Sequence, residues 1–153
     1  MILRHLTRAD ATRCAELEQL LFPDDGPWPR DAFVVEIAAP YTVYLGVEED
    51  GELIGYAGMA VLGPPEDPEF EIRTVGVDPA HRRRGVARML LEPLVRAADE
   101  RDSQMFLEVR TDNEAALTLY ESYGFTRLAV RRKYYPVSGA DAYTMIRKSR
   151  SER

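Results

Sequence analysis

The stretch Val75–Leu91, VGVDPAHRRRGVARMLL, constrains the fold more than any other part of the chain. A β-branched run at Val75 and Val77 halts at Asp78-Pro79. Proline cannot donate to a sheet ladder and fixes its own φ, so a strand must stop there. Arg82-Arg83-Arg84-Gly85 follows, and then Val86, Met89, Leu90 and Leu94 fall at helical spacing. A strand, a short basic loop with glycine and a helix N-terminus together build an anion site out of backbone. The first N–H groups of a helix have no partner inside it, and the helix dipole adds partial positive charge. A phosphate or pyrophosphate fits such a site. Gly85, with no Cβ, lets the backbone approach the ligand closely.

The 153 residues suit a single domain, 1–153, with a real core. Its hydrophobic share of 45% and charged share of 30% are those of an ordinary globular protein. No apolar run is long enough to span a membrane, and the first residues are too poor in apolar side chains for a signal peptide. The single cysteine, Cys14, excludes an intramolecular disulfide and falls on the apolar face of a predicted helix. These features predict a cytoplasmic protein with no membrane partner. A net charge of −6 and a pI near 5.0 argue against nucleic acid as a partner. Within this acidic chain Arg82, Arg83, Arg84 and Arg88 cluster locally, which suits a small polyanion better than a long one.

In chain order, Thr7 and Asp10 predict a helix start, and Cys14, Leu17, Leu20 and Leu21 carry a helix over about 9–21. The proline-rich loop around Trp28 breaks it, and a second helix is predicted from about Arg30 to Ala38. Strands are predicted at 41–47, 53–62 and 70–77, the first two as a hairpin turning at Glu49-Asp50-Gly51. A long helix from Gly85 to about Arg101 contains Pro93, which predicts a kink or a lost bond to Met89. A strand at 105–110, a helix at 113–123 stopped by Gly124, and strands at 125–132 and 142–147 complete the chain. The hairpin meander followed by a βαβα portion implies a mixed sheet with helices packed on it.

Several stretches, in this order and spacing, resemble the GNAT superfamily of acetyl-CoA-dependent N-acetyltransferases. Val77-Asp78-Pro79 with Arg82-Arg83-Arg84-Gly85-Val86-Ala87 is similar to the family's pyrophosphate loop. Leu107-Glu108-Val109-Arg110, Asn113-Glu114-Ala115-Ala116 and Leu119-Tyr120-Glu121-Ser122-Tyr123-Gly124-Phe125 resemble its second half. Within the superfamily the likeness is to RimI-type ribosomal-protein-alanine N-acetyltransferases. It includes Phe22, Pro27-Trp28 and Arg131-Arg132-Lys133-Tyr134-Tyr135-Pro136. The implied fold is α/β (α+β), a mixed, mostly antiparallel sheet of six to seven strands flanked by about four helices. The sequence departs from the pattern at Asp24-Asp25-Gly26, Arg73, Gly76 and Pro93.

The resemblance implies acetyl-CoA as cosubstrate, no metal, and an acceptor that is a protein or peptide N-terminus of the ribosomal-protein type, in a monomer or weak dimer. Its cofactor residues would be Val75, Val77, Arg82, Arg83, Arg84, Gly85, Val86, Ala87, Asn113 and Tyr120. Glu108 would be the base and Tyr120 the acid that protonates the departing thiolate. Trp28, Tyr134 and Tyr135 would contact the acceptor, and Gly76 would ease the approach of the acetyl carbonyl to backbone near Val77. An α-amine with a pKa near 7.7–8.0 is partly neutral at cellular pH, so deprotonation through water suffices. An acidic patch at Glu66, Asp67, Glu69 and Glu71 offers a steering field for a basic acceptor. A small-molecule amine or lysine side chain as acceptor, and a catalytically silent acyl-CoA-binding domain, remain open alternatives.

Overall fold

The computed structural model describes residues 1–153. Seven strands form one sheet in the order β1-β2-β3-β4-β5-β7-β6. β1 (Ile2–His5), β2 (Thr42–Glu49), β3 (Glu52–Leu62) and β4 (Glu69–Val77) form an antiparallel meander. β5 (Met105–Arg110) runs parallel to β4, and β7 (Ala142–Arg147) lies antiparallel between β5 and β6 (Thr126–Arg131). α1 (Ala11–Leu21) and α2 (Arg30–Ala38) precede β2. α3 (Val86–Glu100) carries the chain from β4 to β5, and α4 (Glu114–Ser122) from β5 to β6. The mixed, mostly antiparallel sheet with four helices is the expected one. No helix is long and apolar enough to cross a membrane.

β1 was not among the predicted strands. It is an edge strand of four residues with Ile2 and Leu3 both exposed, so it shows no inward–outward alternation. Its hold is electrostatic. Arg4 reaches both carboxylate oxygens of Asp10 at 2.9 Å and Glu48 at 3.1 Å on the neighbouring β2.

Adjacent residues on a strand face opposite sides of the sheet. Leu45 and Ala57 join α3 and α4 in one core, with Leu90, Leu94, Leu117 and Met145. Tyr44 and Tyr56 face the other way and pack with Cys14, Leu17 and Phe33 of α1 and α2. Burial pushes the Cys14 thiol up to about 12, so it is apolar filler. α3 runs unbroken through Pro93, whose ring removes the bond to Met89 while Leu90, Leu91 and Leu94 stay buried.

The feature that makes a site lies between β4 and β5. The β3–β4 register slips between Gly58–Thr74 and Met59–Ile72, which leaves Arg73 as the extra residue of a bulge. β5 pairs with β4 only at Phe70–Met105 and Glu71–Phe106. Beyond the bulge the two strands part, and their backbone groups face an open gap. Arg73, unexpected in a strand, is carried by this bulge. Its guanidinium lies between Glu71 (3.1 Å) and Glu36 (3.4 Å).

Candidate active site

A cleft of about 790 Å³ occupies the gap. That size suits an elongated small ligand together with part of an acceptor. Residues 71–75 of β4 and 107–110 of β5 form its walls, and residues of α1, the α1–α2 loop, α4 and the β6–β7 loop complete the lining. It brings together Trp28, Val75, Glu108, Asn113, Tyr120, Tyr134 and Tyr135 from six separate segments. Val77 and the loop Arg82–Ala87 do not line this cleft.

The backbone of β4 is aimed for a ligand. The Asp78 N–H donates to the Ile54 carbonyl at 2.8 Å, and Gly76 lies opposite Tyr56. Hydrogen-bonding direction alternates along an antiparallel strand, so the N–H and C=O groups of Val75 and Val77 point away from β3 into the gap. Gly76 itself serves the opposite face. A Cβ there would collide with the Tyr56 hydroxyl and ring, so this glycine accommodates Tyr56 and does not clear a path for the acetyl group.

The loop before α3 has the geometry of an anion nest. Arg83 (φ 62°) and Gly85 (φ 77°) are both left-handed, a pattern that turns successive N–H groups to one side. The first backbone bond of α3 runs from the Met89 N–H to the Gly85 carbonyl at 3.0 Å, and no backbone N–H from Arg82 to Arg88 donates to another backbone group. Arg82 and Arg83 are exposed. Arg84 is committed elsewhere: it forms a two-pronged pair with Glu49 at 2.6 and 2.7 Å. Its contribution to a ligand is therefore through backbone.

Glu108 stands on β5 with its side chain half-buried at the cleft. It accepts from the Thr144 hydroxyl at 2.7 Å and from Arg131 at 3.4 Å. These donors hold the carboxylate while leaving lone pairs free for water. Tyr120 is 8% exposed, with its ring edge-on to Phe125 at 5.8 Å. Its hydroxyl has no partner in the protein, and burial pushes its pKa well above the ordinary tyrosine value, so it stays protonated. Asn113 caps α4 by accepting from the Ala116 N–H at 3.2 Å, which leaves its amide N–H₂ free at the cleft.

Tyr134 and Tyr135 meet edge to face at 5.0 Å, and the Arg131 guanidinium lies over the Tyr134 ring at 4.7 Å. Burial, with Asp25 second, pushes Tyr135 up to about 12. Asp25 ties the site together. It accepts from Arg110 at 2.7 Å and from Ser138 at 3.4 Å, joining the α1–α2 loop to the end of β5 and to the β6–β7 loop. Trp28 packs on Phe33 at 5.4 Å.

Glu18 was missed from sequence. It lines the cleft from α1 while only 3% exposed. Its signal was an acid inside the apolar stripe Cys14, Leu17, Leu21.

A splayed parallel pair, a backbone nest at the following helix, and a carboxylate and a buried phenol lining one gap make a site suited to acyl transfer. The chain belongs to the acetyltransferase (GNAT) family, whose sequence model matches residues 11–125. Among its relatives is the N-alpha-acetyltransferase RimI of Mycobacterium tuberculosis, 56% identical over 144 residues, which cover 94% of this chain and 90% of that protein. The crystal structure of the ribosomal-protein-S18-alanine N-acetyltransferase from Escherichia coli superposes with a TM-score of 0.78 at 29% identity, covering 95% of this chain and 91% of that one. Chaetomium thermophilum Naa20 in complex with a bisubstrate analogue matches with a TM-score of 0.81 at 25% identity, over 97% of this chain and 87% of that one.

Proposed function

We propose that this chain transfers the acetyl group of acetyl-CoA to the α-amine of a protein N-terminus, with a ribosomal-protein alanine as the type of acceptor. The observation that carries the reading is Glu108 and an unpartnered, protonated Tyr120 lining one cleft with Tyr134, Tyr135 and Trp28. The relatedness to RimI supports the same acceptor class.

Each residue has a separable task. The free N–H groups from Arg82 to Arg88 and the exposed Arg82 and Arg83 fit the pyrophosphate of the cosubstrate. The cleft-facing backbone of Val75 and Val77 extends a ladder to its pantetheine arm, and the Val77 N–H faces the thioester oxygen as charge develops there. The free amide of Asn113 lies beside the same arm. Glu108 takes a proton from the amine through water. Tyr120 gives its hydroxyl proton to the departing thiolate and regains one from solvent. Tyr134 and Tyr135 offer rigid aromatic contact to the first residues of the acceptor at low entropy cost, in the cleft that Trp28 also lines.

The test is thiol release from acetyl-CoA with N-terminal peptides, lysine peptides and small amines, the products being located by mass spectrometry. Acetylation of the α-amine of an alanine peptide is expected. Preferential acetylation of lysine side chains or small amines, or acetyl-CoA binding with no turnover, overturns the reading.

A further inference from the structure

Glu18 is a buried carboxylate that the mechanism above leaves unused. Taking such a group out of water costs several kcal/mol unless donors replace the lost hydration. Three donors do so here. The Tyr56 hydroxyl and the Thr74 hydroxyl both reach Oε2, at 2.5 and 2.9 Å, and the Trp28 backbone N–H reaches Oε1 at 3.2 Å. None of them is a cation, and no Lys, Arg or His pairs with Glu18. All three are neutral dipoles aimed at the carboxyl oxygens. For stability alone, an apolar side chain in the stripe of Cys14 and Leu17 would serve as well. Gly76 is part of the same arrangement, since its missing Cβ is what lets Tyr56 reach across to Glu18.

Thr74 connects this charge to the reaction. Its side chain shares the sheet face of Tyr56 and lines the cleft one residue before Val75. A threonine hydroxyl has one proton and two lone pairs. Its proton is committed to Glu18, so it can only accept from whatever sits in the cleft. An acceptor-only oxygen backed by an anion recognises an N–H donor of positive charge. The α1–α2 loop with Trp28 covers this face, which puts Thr74 on the acceptor's side of the gap and the loop Arg82–Ala87 on the cosubstrate's side.

We propose that Glu18 is a positioning residue for the acceptor amine: it fixes the Thr74 hydroxyl as the hydrogen-bond acceptor that aims the α-amine at the thioester. This rests on the N-terminal acetyltransferase reading. The amine lone pair forms the bond to the thioester carbon while an N–H of the amine donates to Thr74 Oγ1. Nitrogen becomes positive as that bond forms, and the Glu18 charge one hydroxyl away stabilises it. The excess proton then leaves through water to Glu108, the C–S bond breaks, and sulfur takes the proton of Tyr120.

The experiment compares Glu18→Gln, Thr74→Val and Thr74→Ser with wild type. It measures steady-state kinetics on an alanine-terminated peptide and the acetyl-CoA Kd by calorimetry. Thr74→Val and Glu18→Gln are each expected to lower kcat/KM for the peptide about tenfold, the worth of one charge-assisted hydrogen bond. The acetyl-CoA Kd should stay within about twofold in both, since a tenfold change would need another whole hydrogen bond. Thr74→Ser restores the hydroxyl and should recover most of the loss. The double variant should be no worse than Thr74→Val, because both changes break one connected unit. Wild-type kcat/KM in Thr74→Val overturns the proposal. So does a loss that Thr74→Ser fails to recover, or one that appears equally in acetyl-CoA affinity. If Glu18→Gln does not fold, the Thr74 pair decides alone. No wild-type turnover on the peptide overturns the functional reading itself, and the proposal with it.

Discussion

Tyr120 and Glu108 face the same cleft with opposite preparation. Burial raises the phenol's pKa and keeps its proton in place, as the proposed acid must. The Glu108 carboxylate is held by Thr144 and Arg131 at the cleft wall. Tyr120→Phe removes the proton donor, so kcat should fall about 10²-fold, the low end of acid catalysis, and fall more than acetyl-CoA affinity does. Glu108→Gln should do the same to kcat through the base. Stopped-flow single turnovers would separate both effects from product release. Gly76→Ala is a different kind of change. Its methyl would collide with the Tyr56 ring, so it should lower stability by about 1–3 kcal/mol as overpacking does; urea melts measure this. Glu108, Asn113 and Tyr120 were legible in the sequence because each sits in a stretch with family spacing. Glu18 and Thr74 were not, because their link joins α1 to β4 across the sheet and no spacing along the chain encodes it. Gly76 was misjudged for the same reason: only the β3–β4 register shows that it faces Tyr56.

At the scale of elements, one bulge and two loops make the site. The bulge at Arg73 parts β4 from β5, and the sequence showed only an arginine out of pattern in a strand. β1 escaped notice because its hold comes from Arg4 pairing with Asp10 and Glu48, not from a buried face. α3 was legible because it buries one face and so carries a clear period, and β2 and β3 because they are runs of strand-forming residues buried on both faces. In the loop before α3, Gly85 has open space around its missing Cβ but a left-handed φ of 77°. Gly85→Ala therefore costs conformational strain of about 1 kcal/mol without a clash. It should weaken acetyl-CoA binding more than it lowers the melting temperature, which calorimetry and thermal melts can compare directly. On the opposite side, Asp25→Ala unties the α1–α2 loop from Arg110 and Ser138. Peptide KM should rise several-fold, roughly the cost of reordering two loops, while acetyl-CoA affinity holds.

Across the whole molecule, the sheet separates two tasks. α3 and α4 pack on one face, to which the proposed function gives the cosubstrate, and α1 and α2 on the other, to which it gives the acceptor. The gap between β4 and β5 is where the two sides communicate, so the halves of the sheet must be kept in register beyond it. Ion pairs far from the cleft do part of this. Arg4–Asp10 anchors β1 and the start of α1, and Arg147–Asp99 ties β7 to the end of α3 at 2.8 and 3.1 Å. The Arg147 guanidinium, helped by Arg153, holds Asp99 at about 2, below the ordinary 3.8. Arg4 holds Asp10 below its ordinary value in the same way. A carboxylate depressed in the folded state binds fewer protons there than when unfolded. Its stabilisation is therefore complete above the unfolded value and drains away as pH falls through the folded one. Thermal stability should thus drop between about pH 4 and pH 2. Asp99→Asn should cost about 1 kcal/mol near neutral pH, the worth of a partly exposed pair. That cost should shrink towards zero at pH 2, where wild-type Asp99 is itself protonating. Melting curves of both proteins across this range provide the measurement, and a gap that stays constant with pH would mean that the Arg147–Asp99 charge pair does not hold β7 against α3.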